Sequence, residues 1–103
     1  MAKYKLVDHK SVLVDDVLEW AKEMESSDRK VARTQVTEDT KVSTVFLGID
    51  HGWGSKDGPI LFETMVFGGK YDEYRRLYRT REEAEAGHAE IVKMVQTCIA
   101  DGE

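Results

Sequence analysis

KVSTVFLGID, residues 41–50, is dense in β-branched and aromatic side chains and reads as the central strand of a sheet. A second apolar run, ILFETMVF at 60–67, is closed by Gly68-Gly69 and reads as its neighbour. Between them HGWGSKDGP, 51–59, holds three of the eight glycines and the one proline, so it is a loop. Working outward, KVARTQV at 30–36 alternates as a half-exposed strand and is joined to the central one by the polar turn Thr37–Thr40. Tyr74–Tyr78 reads as a fourth, more polar strand.

Helical spacing flanks these strands on both sides. Val14, Val17, Leu18, Ala21 and Met24, widened by Trp20, form one apolar stripe; Asp16 and Glu19 stand at capping-box spacing and start the helix near 16, and it runs to about Ser26. Thr80 and Glu83 repeat that spacing ahead of a longer stripe, Ala84, His88, Ile91, Val92, Val95, Cys98 and Ile99, ending near Ala100. Residues 1–12 read as an arm or edge strand. The expected fold class is α+β in the order α-β-β-β-β-α: a four-stranded antiparallel meander with both helices packed on one face. No linker or repeat divides residues 1–103, so one domain is expected.

Bulk numbers exclude several functions. With 15 Lys+Arg against 20 Asp+Glu in 103 residues the net charge is −5, the wrong sign for a protein that draws its affinity from duplex phosphates. Double-stranded-RNA-binding domains share the element order less one strand, but this chain lacks a basic turn at the start of its last helix. Cys98 is the single cysteine, which rules out an internal disulfide and a cysteine zinc cluster. Neither a membrane-spanning run nor an apolar signal core is visible, and the chain is expected in the cytoplasm without a membrane partner.

Candidate chemistry is scattered. Glu63 alternates with large apolar neighbours on its strand face, so it is either paired or held with a raised pKa. His88 follows Gly87 on the apolar stripe of the last helix. Either a sheet side chain packs over Gly87 with His88 hydrogen-bonded in the core, or His88 lines a ligand pocket beside Glu63. Asp50 and His51 end the central strand at the mouth of the glycine-rich loop, where Trp53 could offer a stacking surface. Asp50, His51, Glu63 and His88 suit a divalent metal by type, yet no ligand spacing links them, and no metal or cofactor is expected. Ser43, Thr44, Thr64 and Cys98 lack the turn that would make any of them a nucleophile, so no catalytic residue is assigned. In KYDEYRRLYRTR, 70–81, five cations face two carboxylates, with Tyr71, Tyr74 and Tyr78 interleaved. Tyr74, Arg76 and Tyr78 could stack and clamp a small ring-bearing anion; the same residues could equally be a solvated edge strand paired with acidic helices.

Three segments in order, STVFLGIDHGWG (43–54), ILFETMVFGG (60–69) and the Tyr78-x-Thr80-x-Glu-Glu-Ala-Glu-Ala-Gly-His88 run, resemble a group of small uncharacterised proteins encoded by tailed bacteriophages and prophages. Asp28-Arg29-Lys30-Val31-Ala32-Arg33-Thr34 also matches, and the resemblance covers about residues 13–95. Its shared polar positions are Asp50, His51, Glu63, Thr64 and His88. Arg81 stands where the group often has Trp, and YDEYRR at 71–76 replaces a turn richer in glycine and acid. The resemblance implies a phage genome and the cytoplasm of an infected bacterium.

The expected function is a non-enzymatic, phage-encoded binding protein that counters host defence, by sequestering a small nucleotide-like anion or by blocking a host protein. The alternatives are a structural or assembly accessory of the phage, and a small hydrolase using Asp50, His51, Glu63 and His88. A homo-oligomer is expected, because a sheet with one bare face would leave Phe62 and Val66 needing a cover.

Overall fold

The computed structural model describes residues 2–26, 28–52, 54 and 56–100. Eight elements follow in order: β1 (Lys3–Val7), β2 (Lys10–Val14), α1 (Val17–Ser26), β3 (Lys30–Gln35), β4 (Lys41–Phe46), β5 (Phe62–Phe67), β6 (Arg75–Tyr78) and α2 (Arg81–Ala100). The class is α+β. Strands β3-β4-β5-β6 form an antiparallel meander in sequence order, as the alternation predicted, while β1 and β2 form a second, two-stranded sheet.

That second sheet corrects the reading of residues 1–12 as an arm or single edge strand. Asp8 and His9, with φ of 52° and 68°, form the two-residue turn of a hairpin; positive φ at both central positions matches the twist of the flanking strands. Val14, read as the first residue of the helical stripe, is instead the last residue of β2 and is buried. Asp16 caps α1 as predicted, its Oδ1 accepting the N–H groups of Leu18 at 2.9 Å and Glu19 at 3.4 Å.

The placement of α1 is the second correction. Among the described residues only α2 lies along the four-stranded sheet, touching all four of its strands; α1 rests on β1 and β2. The cause is local: the hairpin precedes α1 in the chain and offers it Lys5, which pairs with Glu19 at 3.2 Å, and Lys3, whose ammonium lies over the Trp20 ring. Trp20 and Met24 reach back to the larger sheet, Trp20 Nε1 donating to the carbonyl of Gly48 at 3.0 Å and Met24 packing against the core cluster that includes Phe46 and Phe62.

The central strand also ends sooner than expected, at Phe46 rather than Asp50. Gly48 takes a φ of 79°, and the backbone beyond Phe46 pairs with the N-terminal hairpin: Tyr4 N–H donates to Gly48 O, Asp50 N–H to Ala2 O, and Lys3 bridges Ile49. A strand continuing straight to residue 50 would give up those contacts.

Register and alternation sort the sheet's two faces. Val42, Thr44 and Phe46 of β4 sit beside Val66, Thr64 and Phe62 of β5, all at 1% exposure or less beneath α2. Ile91 and Val95 of α2 close one half of this core, and Ala84 with Tyr78 the other. Phe62 and Val66 therefore need no further cover, contrary to the expectation drawn from a bare face. The uncovered face carries Ser43, Val45, Glu63, Met65, Phe67 and Leu77 instead.

Candidate functional site

Under α2, the inward positions of adjacent strands are polar where an all-apolar core would be simplest. Thr44 and Thr64 are register partners on β4 and β5, and their hydroxyls share a hydrogen bond. Tyr78 OH donates to Thr64 Oγ1 at 2.9 Å; Thr44 Oγ1 meets His88 Nδ1 at 2.7 Å; and Thr34 Oγ1 meets His88 Nε2 at 2.9 Å. Five side chains from four strands and one helix thus form one chain of hydrogen bonds. Two proton arrangements satisfy it, one with the imidazole proton on Nε2 and one with it on Nδ1, because each hydroxyl both donates and accepts. Among the described residues no buried side-chain nitrogen or oxygen lacks a partner.

Desolvation pushes the His88 imidazole below its ordinary pKa and pushes the Tyr78 phenol up. Both groups are neutral near pH 7 and fully occupied by neighbours. Gly87 makes this possible: a Cβ there would overlap the Cε1, Cζ and Oη atoms of Tyr78. Of the two readings of Gly87-His88, the packing is the one with a sheet side chain over Gly87 and His88 bonded in the core. Gly87→Ala is expected to cost about 1–2 kcal/mol in chemical denaturation, overpacking outweighing the gain of ~1 kcal/mol in helix propensity.

Glu63 is not beside His88. It alternates with Thr64 and so projects from the opposite face of the sheet, where Oε2 lies 3.4 Å from Arg75 Nη1. Asp50 stands at a third place. Its carboxylate is 5% exposed and accepts three backbone N–H groups, from Gly52 at 2.6 Å, Ile60 at 2.9 Å and Gly54 at 3.1 Å. The Ile60 bond foremost, then those of Gly52 and Gly54, hold its pKa below the usual carboxylate range against the opposing effect of burial. This carboxylate organises a loop and has little capacity left for a substrate proton. His51 beside it is exposed and donates from Nδ1 to the Ile49 carbonyl at 2.9 Å. Trp53 lies outside the described residues.

The remaining candidates gather where β6, an edge strand, runs along α2. A groove of about 320 Å³ is lined by Arg76, Tyr78, Gly87 and Glu90 among others. The Arg76 side chain is 37% exposed at its rim; Nη2 donates to Tyr74 OH at 3.3 Å, and Nη1 lies 3.7 Å from Glu90 Oε1. The Tyr74 hydrogen bond first, with lesser help from nearby charges, raises the guanidinium's pKa further, so its charge is permanent. Tyr74 is 37% exposed and its ring stands edge-on to Tyr71, which packs against the core. Glu83, also at this groove, is committed to the start of α2: it accepts from Thr80 N–H and Arg79 N–H at 3.1 Å each, while Thr80 Oγ1 accepts from Glu83 N–H.

The seven sequence candidates among the described residues therefore occupy separate places. Arg76 and one edge of Tyr78 line the β6–α2 groove, with Tyr74 hydrogen-bonded to Arg76 beside it; Tyr78 OH and His88 belong to the interior network; Asp50 and His51 belong to the loop; Glu63 belongs to the open face. Among the described residues no three His, Cys, Asp or Glu side chains converge as metal ligands, and no helix is long and apolar enough to cross a membrane. Thr34 is no sequence candidate; Thr44 is weighed only as a nucleophile, and Thr64 as a nucleophile and as a shared polar position of the resemblance. Their signal was present in the alternation, which puts a threonine at the inward position of two neighbouring apolar strands. No family model, curated protein or solved structure matches the chain.

Proposed function

We propose that this is a non-enzymatic binding protein, encoded by a phage or prophage and acting in the cytoplasm of the infected bacterium, where it sequesters a small ring-bearing anion of the nucleotide class. The observation that carries the proposal is that Arg76, which lines the β6–α2 groove, is paired with the exposed Tyr74 beside it. A guanidinium can hold a phosphate with two donors while an adjacent phenol ring stacks on a base. Arg76 is held only loosely by Glu90, at 3.7 Å on an exposed carboxylate, and exposed pairs of that kind are worth about 0–1 kcal/mol, which a phosphate can displace. The non-enzymatic half of the proposal draws on the interior network and on Asp50, whose polar atoms are used up by protein neighbours. Counter-defence as the purpose of sequestration rests on the phage resemblance.

Equilibrium dialysis against cyclic and ADP-ribose-type nucleotides tests this reading. Binding is expected in the micromolar range, about −8 kcal/mol, and Arg76→Ala is expected to weaken it at least ~10-fold, with Arg76→Lys recovering only part because a point charge cannot form the fork. Tyr74→Ala is expected to cost a further ~1–2 kcal/mol for purine over pyrimidine ligands. Absence of binding by every nucleotide tried, or binding indifferent to Arg76→Ala, overturns the reading.

A further inference from the structure

Two surfaces of this chain are apolar, exposed and opposite in charge. The first is the sheet face away from α2. Phe67 is 44% and Leu77 39% exposed there, with Met65 between them; Arg33, Lys41 and Arg75 surround them, and the strand carboxylate on that face, Glu63, is already paired with Arg75. The second is the outer side of α1. Val17 is 56% and Leu18 74% exposed, Ala21 lies one turn on, and with Glu19 paired to Lys5, Asp15, Asp16 and Glu25 still outnumber the single Lys22 among the exposed charges. A helix with its apolar residues in solvent, on a chain that also has a sheet face uncovered by any helix, is a lock and key within one molecule.

We infer that the chain self-associates head to tail, α1 of one copy lying on the open sheet face of the next. This goes beyond the ligand reading and does not depend on it. Charge selects this arrangement over a two-fold pairing of sheet faces, because like faces would set Arg33, Lys41 and Arg75 of one copy against the same cations of the other. Dimensions agree as well: a ten-residue helix is about 15 Å long, and four strands of up to six residues span roughly 20 Å each way. The same copy cannot satisfy itself, since its α1 is held on β1 and β2. Because the two surfaces differ, the contact is heterologous and either closes into a ring or propagates. A patch of this size falls below the ~800 Å² per partner of a standard interface, which sets the association in a weak, concentration-dependent range.

Light scattering after size exclusion, together with sedimentation equilibrium up to about 1 mM chain, tests the inference; at about 0.5 M salt a contact guided by charge weakens. Leu18→Lys changes a residue that touches little of its own chain, and Leu77→Glu sets a like charge against an incoming acidic helix; both should keep the wild-type circular dichroism. Each alone is expected to associate at least ~10-fold more weakly than wild type. Mixed in equal amounts, they should form a dimer and nothing larger, since each retains the surface that the other has lost. Wild-type protein that stays monomeric throughout overturns the inference. So does assembly lost in Leu77→Glu but kept in Leu18→Lys, which would mean sheet-to-sheet pairing, and so does a mixture that stays monomeric.

Discussion

Asp50→Ala is expected to lower the unfolding free energy by about 3 kcal/mol and the melting temperature by roughly 12–24 °C for a domain of this size. Three backbone N–H groups, of Gly52, Gly54 and Ile60, end on this one carboxylate. A hydrogen bond to a charged acceptor contributes roughly 1.5–3 kcal/mol, but the three share an acceptor, and a freed loop can turn its N–H groups to water, so the full sum is not lost. Asp50→Asn separates charge from shape. Its remaining carbonyl can still serve Gly52 and Ile60, while its amide would point a donor at the Gly54 N–H, so an intermediate loss is expected. The acid limb gives an independent check. A carboxyl whose pKa is lowered on folding contributes fully above the ordinary value near 3.9 and loses that contribution as pH falls through the folded value. Wild type should therefore lose stability below about pH 4 more steeply than Asp50→Asn does. Faster amide exchange at Gly52 and Ile60 in Asp50→Ala would locate the damage, and unchanged exchange there would refute the loop-organising role.

The meander was legible because the four strands and α2 each announce themselves over a few neighbouring residues. β-branched runs at 41–46 and 62–67, the glycine-rich interval between them and the Thr80/Glu83 box are local signals, and register follows once one face must be buried. Residues 3–14 were not legible in this way. KYKLV and KSVLV are short, rich in lysine and separated by Asp8-His9 rather than the Asn-Gly or Asp-Gly that usually signals such a turn. Their pairing is rewarded mainly by contact with residues some forty positions away, at Gly48 and Asp50. The position of α1 followed from that hairpin, so one missed element displaced two predictions. At the candidate sites the difficulty was of another kind. Residue types named Asp50, Glu63 and His88 correctly as unusual, but only alternation plus register shows that Glu63 and His88 look away from each other through the sheet, and only distance shows that Asp50 is spent on its own loop. Arg76 and Tyr74, two residues apart on one short segment, were brought together by the chain itself.

Replacing His88 with leucine is expected to cost about 2–3 kcal/mol at pH 7, although leucine is close in size and better suited to a buried position. The imidazole joins Thr44 to Thr34; without it Thr44, fully buried, keeps only its bond to Thr64, and one lone pair or proton is left facing hydrocarbon. Water can reach Thr34, which is half-buried, so the loss should come chiefly from the Thr44 side, and Thr44→Val in the His88→Leu background should recover part of it. Removing both polar partners together costs less than orphaning one. Acidification distinguishes this network from a merely well-packed core. Burial holds the His88 pKa below its ordinary value, so between about pH 6.5 and the folded value the unfolded chain binds a proton that the native chain does not, and stability falls as pH drops. Above about pH 8 the imidazole is neutral in both states and contributes no slope. The groups that bond it from β3 and β4 are hydroxyls, with no carboxylate among them to welcome the charge. Wild type should accordingly lose stability from about pH 6.5 downward, while His88→Leu, less stable at pH 7, should lack that component, so that the gap between the two narrows as the pH falls. Parallel pH profiles for the two proteins would place the imidazole's titration in solvent rather than beneath α2, and would leave Gly87, Tyr78 and the paired threonines without a buried imidazole to serve.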